Sequence, residues 1–451
     1  MSAKPDVVLI FMDDMTHWSL RSDAVRTPNL DRLRERGVTF THAFNQGSTE
    51  PAVCVPARRM LLTGLTLYES EPRFAEVTRL GQALGGAGYE TFFTGKWHNP
   101  PEALDEDYGE VGPWGAGMFG SVNAEDDAYR RPREGDTWDP ADTSRGGHWL
   151  TLADGSVQHS SERWTDAAVD FLRRASVDRP YFLHLAYHAP HDPKQAPQEF
   201  LDLYPAAEIS VPPNALPEHP FDNGALEIRD EMLAPHPRTP DAVRLHRREY
   251  FAMLTHVDRE IGRVLDAVDQ REARLGRPTV IVFSGDHGLA LGEHGLMGKQ
   301  SLYDHSTRVP LVIVGPGVPA GERRERPVYA GGIYATICDV IGLRPPAHLR
   351  FDSLAPAVGG EEQDGEIFTA YGPDQRSIRV GRVKLITYAD TSNDQLFDVV
   401  ADPWETRNLI DDPARAEAVD DLRTRLDRAR RRFGDPWLDR VDPGRAAKAT
   451  D

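Results

Sequence analysis

The stretch EPAVCVPARRMLLTG, Glu50 to Gly64, places Cys54 between Pro51 and Pro56, with Arg58 and Arg59 just behind it. The prolines argue against a helix or a central strand at Cys54, because each lacks an N–H and fixes its own φ. A core thiol does not ordinarily take cationic neighbours, so the pattern reads as a cysteine displayed in an electropositive loop for chemistry. The second cysteine, Cys338 in the apolar run YATICDVIG, reads as core.

Other candidate groups follow apolar runs that read as strands. Asp13 and Asp14 end the run from Asp6 to Met12, Lys96 and His98 follow Phe92, His188 and His191 follow Phe182, and Asp286 and His287 follow Val282. In open α/β sheets, ligands gather at the carboxyl ends of strands. Singly, each has an ordinary reading: an Asp-Asp turn, a surface turn GKWH with a half-buried Trp97, a satisfied core imidazole in DHG, a solvated Lys299. Together, Asp13, Asp14, Asp286 and His287 make a divalent-cation site, and Arg58, Lys96, His98, His191 and Lys299 make a cationic cup beside it. Such a cup fits a tetrahedral oxyanion. Metal and fixed cations polarise sulfuryl or phosphoryl oxygens, and residue 54 supplies the nucleophile of a hydrolytic centre.

The elements that position these groups follow a β, α, β rhythm. Thr27 caps a helix with Pro28 in its first position, Gly37 closes it, and a strand runs from Val38 to Thr41. A helix from about Thr78 precedes a strand from Glu90 to Thr94, and Trp164, Ala168, Phe171 and Leu172 at helical spacing precede the strand in PYFLHLAYHAPH. A long helix through Tyr250, Leu254, Ile261 and Val268 leads to the buried strands in PTVIVFSGDHG and VPLVIVGPG. This alternation predicts a three-layer α/β fold with a mostly parallel sheet over residues 1–355. Residues 99–155, rich in Gly, Asp, Pro and Trp without periodicity, read as long loops over the sheet edge. Residues 356–451 read as a smaller α+β subdomain: EIFTAY, RSIRVG and RVKLITY as short antiparallel strands, a helix from about Pro413 to Arg432, and a disordered end.

Hydrophobic content of 39% in 451 residues supports a sizeable core, and two cysteines in unlike contexts form no disulfide framework. The formal charge of -19 argues against nucleic acid or anionic membrane as partner, so the Arg-rich RTRLDRARRRFG reads as a solvated helix face. The first apolar run ends in aspartates rather than a cleavage site, and no run approaches a membrane span, which makes the cytoplasm the expected compartment.

With these motifs in hand, the chain resembles the formylglycine-dependent sulfatases of the alkaline phosphatase superfamily. CVPAR is similar to the signature C-x-P-x-R, and TPNLDRLRERGVTF, MLLTG, TGKWH, APHDP, FSGDHGLALGEHGLMGKQSLYDHSTRVPLVI and LFDVVADPWETRNLI follow in family order. The resemblance implies an alkaline-phosphatase-like sandwich, conversion of Cys54 to formylglycine by a formylglycine-generating enzyme, and Arg58 holding the modified side chain. It implies a metal on Asp13, Asp14, Asp286, His287 and residue 54, with Lys96, His98, His191 and Lys299 on the sulfate. In the implied mechanism one hydroxyl of the hydrated aldehyde attacks sulfur, His191 or Lys299 protonates the departing alcohol, and His98 deprotonates the second hydroxyl to expel sulfate. The implied substrate is a sulfate ester of a small molecule or an oligosaccharide, with the tryptophans 114, 138 and 149 as candidate sugar-stacking faces.

Three positions depart from the pattern. His287 stands where many sulfatases have Asn; calcium is favoured, with manganese and magnesium compatible, and this histidine resembles the phosphonate monoester hydrolases and choline-sulfatase-like members. Leu65 replaces the Arg of LTGR, and Asn99 a Leu. Two alternatives therefore accompany the sulfatase reading: a phosphonate monoester or phosphodiester hydrolase with the same residues, and a non-catalytic anion binder in which Cys54 stays a thiol.

Overall fold

The computed structural model describes residues 4–20, 22–119, 127–361, 365–389 and 391–438; the chain end expected to be disordered lies outside them. The main sheet has the order β11-β2-β10-β9-β1-β8-β4-β5. Its strands are β1 (Asp6–Met12), β2 (Val38–Phe44), β4 (Glu90–Lys96), β5 (Glu110–Gly115), β8 (Tyr181–Ala186), β9 (Thr279–Gly285), β10 (Arg308–Val314) and β11 (Glu322–Arg324), and a short β12 (Val328–Tyr329) also pairs with β2. β1 is central and parallel to both β8 and β9. Every residue of β1 is buried, as its unbroken apolar run requires of a strand covered on both faces. Tyr250, Leu254, Ile261 and Val268 of the 36-residue helix Pro240–Leu275 pack in the core cluster on one face of the sheet, while Leu61, Leu80, Ile333 and Cys338 belong to the cluster on the other.

A second sheet, in the order β16-β15-β14-β13-β3, joins β13 (Glu366–Tyr371), β14 (Gln375–Val380), β15 (Val383–Tyr388) and β16 (Gln395–Asp398) as antiparallel neighbours. A two-residue strand from the N-terminal part, β3 (Gly47–Ser48), pairs parallel to β13. The helix Ala416–Phe433 packs Val419, Leu422 and Leu426 against this sheet. A ribbon of β6 (Trp149–Thr151) and β7 (Val157–His159) completes the strands. No described helix is long and apolar enough to cross a membrane.

Four expectations are corrected. Cys54 does not lie in a loop: it is the first residue of the helix Cys54–Thr63 and is 3% exposed. Pro56 sits in the first turn, where its missing N–H has no intrahelical partner to lose. Gly37 is not a left-handed cap, since the helix ends at Glu35 with Arg36 right-handed; a Cβ at Gly37 would meet the Ile313 carbonyl oxygen at 2.1 Å. Close approach of the β2 entry to β10 selects that glycine. Residues 99–155 are not all loop: they hold the helix Glu102–Asp107 and the edge strand β5, whose Pro113 is tolerated because an edge strand need not donate. Trp97 is fully buried, and Trp138 and Trp149 are packed, leaving Trp114 exposed at 40%.

Candidate active site

Register alone gathers the strand ends. Met12 of β1 pairs with Gly285 of β9, and Phe11 pairs with Ala186 of β8, which in turn faces Gly95 of β4. Asp13, Asp286, His188 and Lys96 therefore emerge at one edge of the sheet. Gly95 has φ +111°, and a Cβ there would meet the Ala186 carbonyl oxygen at 1.8 Å, so only glycine lets β4 run this close before delivering Lys96. Asp14 and His98 both take left-handed backbone, φ 62° and 51°. Such conformations cost about 1–3 kcal/mol and persist where the surroundings fix them. For Asp14, the Tyr250 hydroxyl donates to its carbonyl oxygen at 2.8 Å.

The helix Cys54–Thr63 aims its N-terminus into this edge, so residue 54 feels the positive end of ten aligned peptide dipoles. Cys54 Sγ lies 3.1 Å from His98 Nδ1 and 3.8 Å from Lys96 Nζ. One turn on, Arg58 places Nη2 3.2 Å from Asp286 Oδ2 and 3.9 Å from Asp13 Oδ1, and its Nη1 donates to the Lys96 carbonyl at 2.9 Å. Lys96 Nζ is hydrogen-bonded to Asp13, and Lys299 Nζ donates to Asp14 Oδ1 at 2.7 Å. All of these side chains are buried except His98, which is half-buried.

Ligand atoms of Asp13, Cys54, Asp286 and His287 lie within 4.8 Å of one another, as do those of Asp13, Asp14 and His191. Several have no hydrogen-bond partner: Asp13 Oδ1, Asp14 Oδ2, Asp286 Oδ2 and His287 Nε2. The Nδ1 of His287 lies 3.1 Å from the Gly288 carbonyl, which fixes the proton there and leaves a lone pair on Nε2. Nε2 is 3.5 Å from Asp286 and 3.9 Å from Asp13. Buried acceptor atoms left without a hydrogen bond beside Arg58, Lys96 and Lys299 are a costly arrangement that a divalent cation satisfies, so the donor set fits one.

Burial and the charge of Asp13 push the Asp286 carboxyl well above the usual range. For Asp13, burial is outweighed by Lys96, His191, Arg58 and Lys299, which hold it well below. Burial, reinforced by Lys96 and Arg58, lowers His98 to about 3. His191 is held well below the imidazole range by burial and by Lys299, and its Nδ1 lies 2.8 Å from the Asp192 carbonyl. Three carboxylates thus face three cations, and a dication would leave the cup with a net charge of about +2, suited to an anionic ester.

All ten sequence candidates meet at this edge. Sequence reading left out what surrounds them. Phe119 stacks at 4.6 Å on His188, itself a strand-end candidate, and Gly117 lies directly against His98. Asp192, beside His191, takes Arg229 Nη1 at 2.9 Å and the Tyr129 hydroxyl. The APHDP motif pointed to Asp192; nothing local marked Arg229 or Tyr129, which arrive from distant loops.

The chain matches the profile of the sulfatase family over residues 5–343, and that of the C-terminal region of N-sulphoglucosamine sulphohydrolase over residues 292–432. A sulfatase from Formosa agariphila is 30% identical over 90% of this chain and 83% of its own length. Among solved structures, one determined with its substrate D-glucosamine-2-N,6-O-disulfate superimposes with TM-score 0.74 at 20% identity, covering 98% of this chain and 100% of the other. The phosphonate monoester hydrolase of Silicibacter pomeroyi does so with TM-score 0.74 at 24% identity, covering 97% of each chain. These two likenesses establish the alkaline-phosphatase-like fold.

Proposed function

The chain belongs to the sulfatase family of hydrolases, and from that premise we propose that it cleaves an O-sulfate ester of a carbohydrate or other small alcohol, using formylglycine made from Cys54. One observation carries the reading: residue 54, at a helix N-terminus, shares a buried cluster with Asp13, Asp286 and His287 whose acceptors are unsatisfied. Asp13, Asp14, Asp286 and His287 would hold a divalent cation, calcium by the weight of oxygen donors, with manganese or magnesium also compatible. When bound, the cation supplies a Lewis acid that draws charge from the ester oxygens. Formylglycine supplies a geminal diol, one hydroxyl as nucleophile and the other for release of sulfate.

The remaining work falls to side chains of this chain. Lys96 and Lys299 hold the non-bridging sulfate oxygens, and Arg58 orients residue 54 from one helical turn away. His98, neutral and 3.1 Å from the 54 side chain, is placed to accept a proton from it. His191 is also neutral; an anionic ester beside it raises its proton affinity and suits it to deliver a proton to the departing alcohol. The Asp192 carbonyl holds its Nδ1 proton and leaves Nε2 for that task. A sugar sulfate as substrate draws support from the structural relative solved with a glucosamine disulfate.

His287 and the fold shared with a phosphonate monoester hydrolase favour a second reading, hydrolysis of phosphonate monoesters at the same residues. Steady-state turnover of aryl sulfate and aryl phosphonate monoester, after co-expression with a formylglycine-generating enzyme, separates the two. The sulfatase reading expects the larger kcat/KM on sulfate; turnover of phosphonate alone would replace it with the second. Inactivity on both, with residue 54 still a thiol by peptide mass, would leave an anion binder.

A further inference from the structure

We infer that a cavity bordered by Trp18, Arg247, Glu293, His305, Val400 and Trp404 is a second ligand site, for a carboxylate carried on a ring. The cavity measures about 730 Å³ and is walled by segments distant in sequence, around residues 17–24, 210–213, 304–308 and 399–405, together with His42, Arg247, Glu293 and Glu325. That volume lies in the range that holds a compact organic ligand. None of the residues assigned to the metal cluster or the cationic cup borders it. It backs onto them, however: Gly288 N donates to the Ser306 carbonyl at 3.0 Å, so the segment around His305 stands between the metal loop and the cavity.

Arg247 identifies the ligand charge. It is 4% exposed, and its guanidinium lies over Trp18 at 4.8 Å and Phe251 at 5.3 Å. Its Nε and Nη1 have no hydrogen-bond partner. Every other arginine buried to this degree among the described residues has a carboxylate within 3.7 Å, Arg58, Arg131 and Arg376 among them. Glu293, the carboxylate whose charge bears on Arg247, is engaged elsewhere, by Trp18 Nε1 at 3.3 Å and Asn214 Nδ2 at 3.0 Å. A buried guanidinium without a carboxylate is costly, because its charge has left water without a partner to replace it. A ligand carboxylate in this cavity would make that missing pair.

The walls identify the ligand body. Trp18, Pro212, Pro213 and Trp404 line the cavity, and Val400 stands at its border 61% exposed. Arg308 and the carboxylates of Glu293, Asp304, Glu325 and Glu405 also border the cavity, but Arg308 is paired with Asp304 at 3.4 Å, and the flat apolar surfaces beside Arg247 suit a ring bearing an acid, whether a sugar acid or an aromatic acid.

Isothermal titration of the full chain with D-glucuronate and, separately, with benzoate asks which ring is taken. The expected result is one-site binding of one acid with Kd on the order of 1 mM. Arg247→Met is expected to weaken it about tenfold or more, while Lys299→Met, which impairs the cup, leaves it unchanged. Arg247→Lys, checked for an unchanged melting curve, covers the case in which Arg247→Met does not fold, and should weaken binding about threefold. No heat from either acid up to about 50 mM overturns the assignment. So does equal binding by wild type and a folded Arg247 variant, or loss in Lys299→Met with retention in Arg247→Met.

Discussion

Two buried ionic clusters in this molecule contain the same kinds of group and differ in completeness. Between the two sheets, Lys384 Nζ donates to Asp304 Oδ1 at 2.9 Å and Glu405 Oε1 at 2.7 Å, and Arg308 and Arg379 approach Asp304 Oδ2 at 3.4 and 3.5 Å. The Glu405 carboxylate also accepts the Asp304 backbone N–H at 2.7 Å. None of these five residues has an orphaned buried polar atom. At the strand ends, by contrast, Asp13, Asp14, Asp286 and His287 each keep one. One carboxyl in each shows the contrast: Lys384, Arg379 and Arg308 overcome burial and hold Asp304 well below the carboxylate range, whereas burial and Asp13 drive Asp286 well above it, while Asp13 is held low and burial raises Glu405. A closed cluster joins two parts of the fold; the open one leaves acceptors that we propose a cation engages.

Substitutions should separate the two. Cys54→Ala is expected to lower aryl sulfate turnover about 10⁴-fold or more, with an unchanged melting temperature, because it removes the nucleophile and no packing of consequence. Lys384→Met should do the reverse, costing about 3–5 kcal/mol in urea unfolding by leaving the buried Glu405 without its cation and Asp304 with Arg308 and Arg379 alone, with kcat of the folded fraction retained.

The pH dependence of stability isolates a third kind of buried group. Burial lowers His148 to about 4, and burial with Arg58 nearby lowers His184 to about 3. Their unfolded pKa is near 6.5, so below that pH the unfolded chain binds more protons and stability falls as pH falls. The expected slope between pH 6.5 and about 4 is up to about 1.4 kcal/mol per pH unit for each histidine. Urea unfolding across that window, with His184→Gln reducing the slope, checks the assignment; Asp304, held low, should add only near the acid end of it. The smallest effect is expected from Asp286→Asn, which relieves like-charge repulsion with Asp13 but removes the charge facing Arg58 at 3.2 Å, so the metal-free chain should stay within about 1 kcal/mol of the wild type. The same variant should lose the rise in melting temperature that a divalent cation gives the wild type.

The open cluster was largely legible in the sequence because its members follow unbroken apolar runs, and a charge directly after a buried strand can only sit at the strand end. The α/β class was legible for the same reason. The closed cluster was not, since Asp304, Lys384 and Glu405 come together only when two sheets pack. The helix at Cys54 was misread because a proline in a first turn and a proline in a loop look alike along the chain. β10 reads as one more buried strand, yet it runs antiparallel to both neighbours, a direction that side-chain pattern does not encode.

A crystal of the protein soaked in Mn²⁺, with anomalous difference density, tests the central claim most directly. The account predicts one strong peak about 2.0–2.4 Å from carboxylate oxygens of Asp13 and Asp286 and from His287 Nε2, facing residue 54. No peak at that edge, in crystals where Mn²⁺ binds elsewhere on the chain, would contradict it.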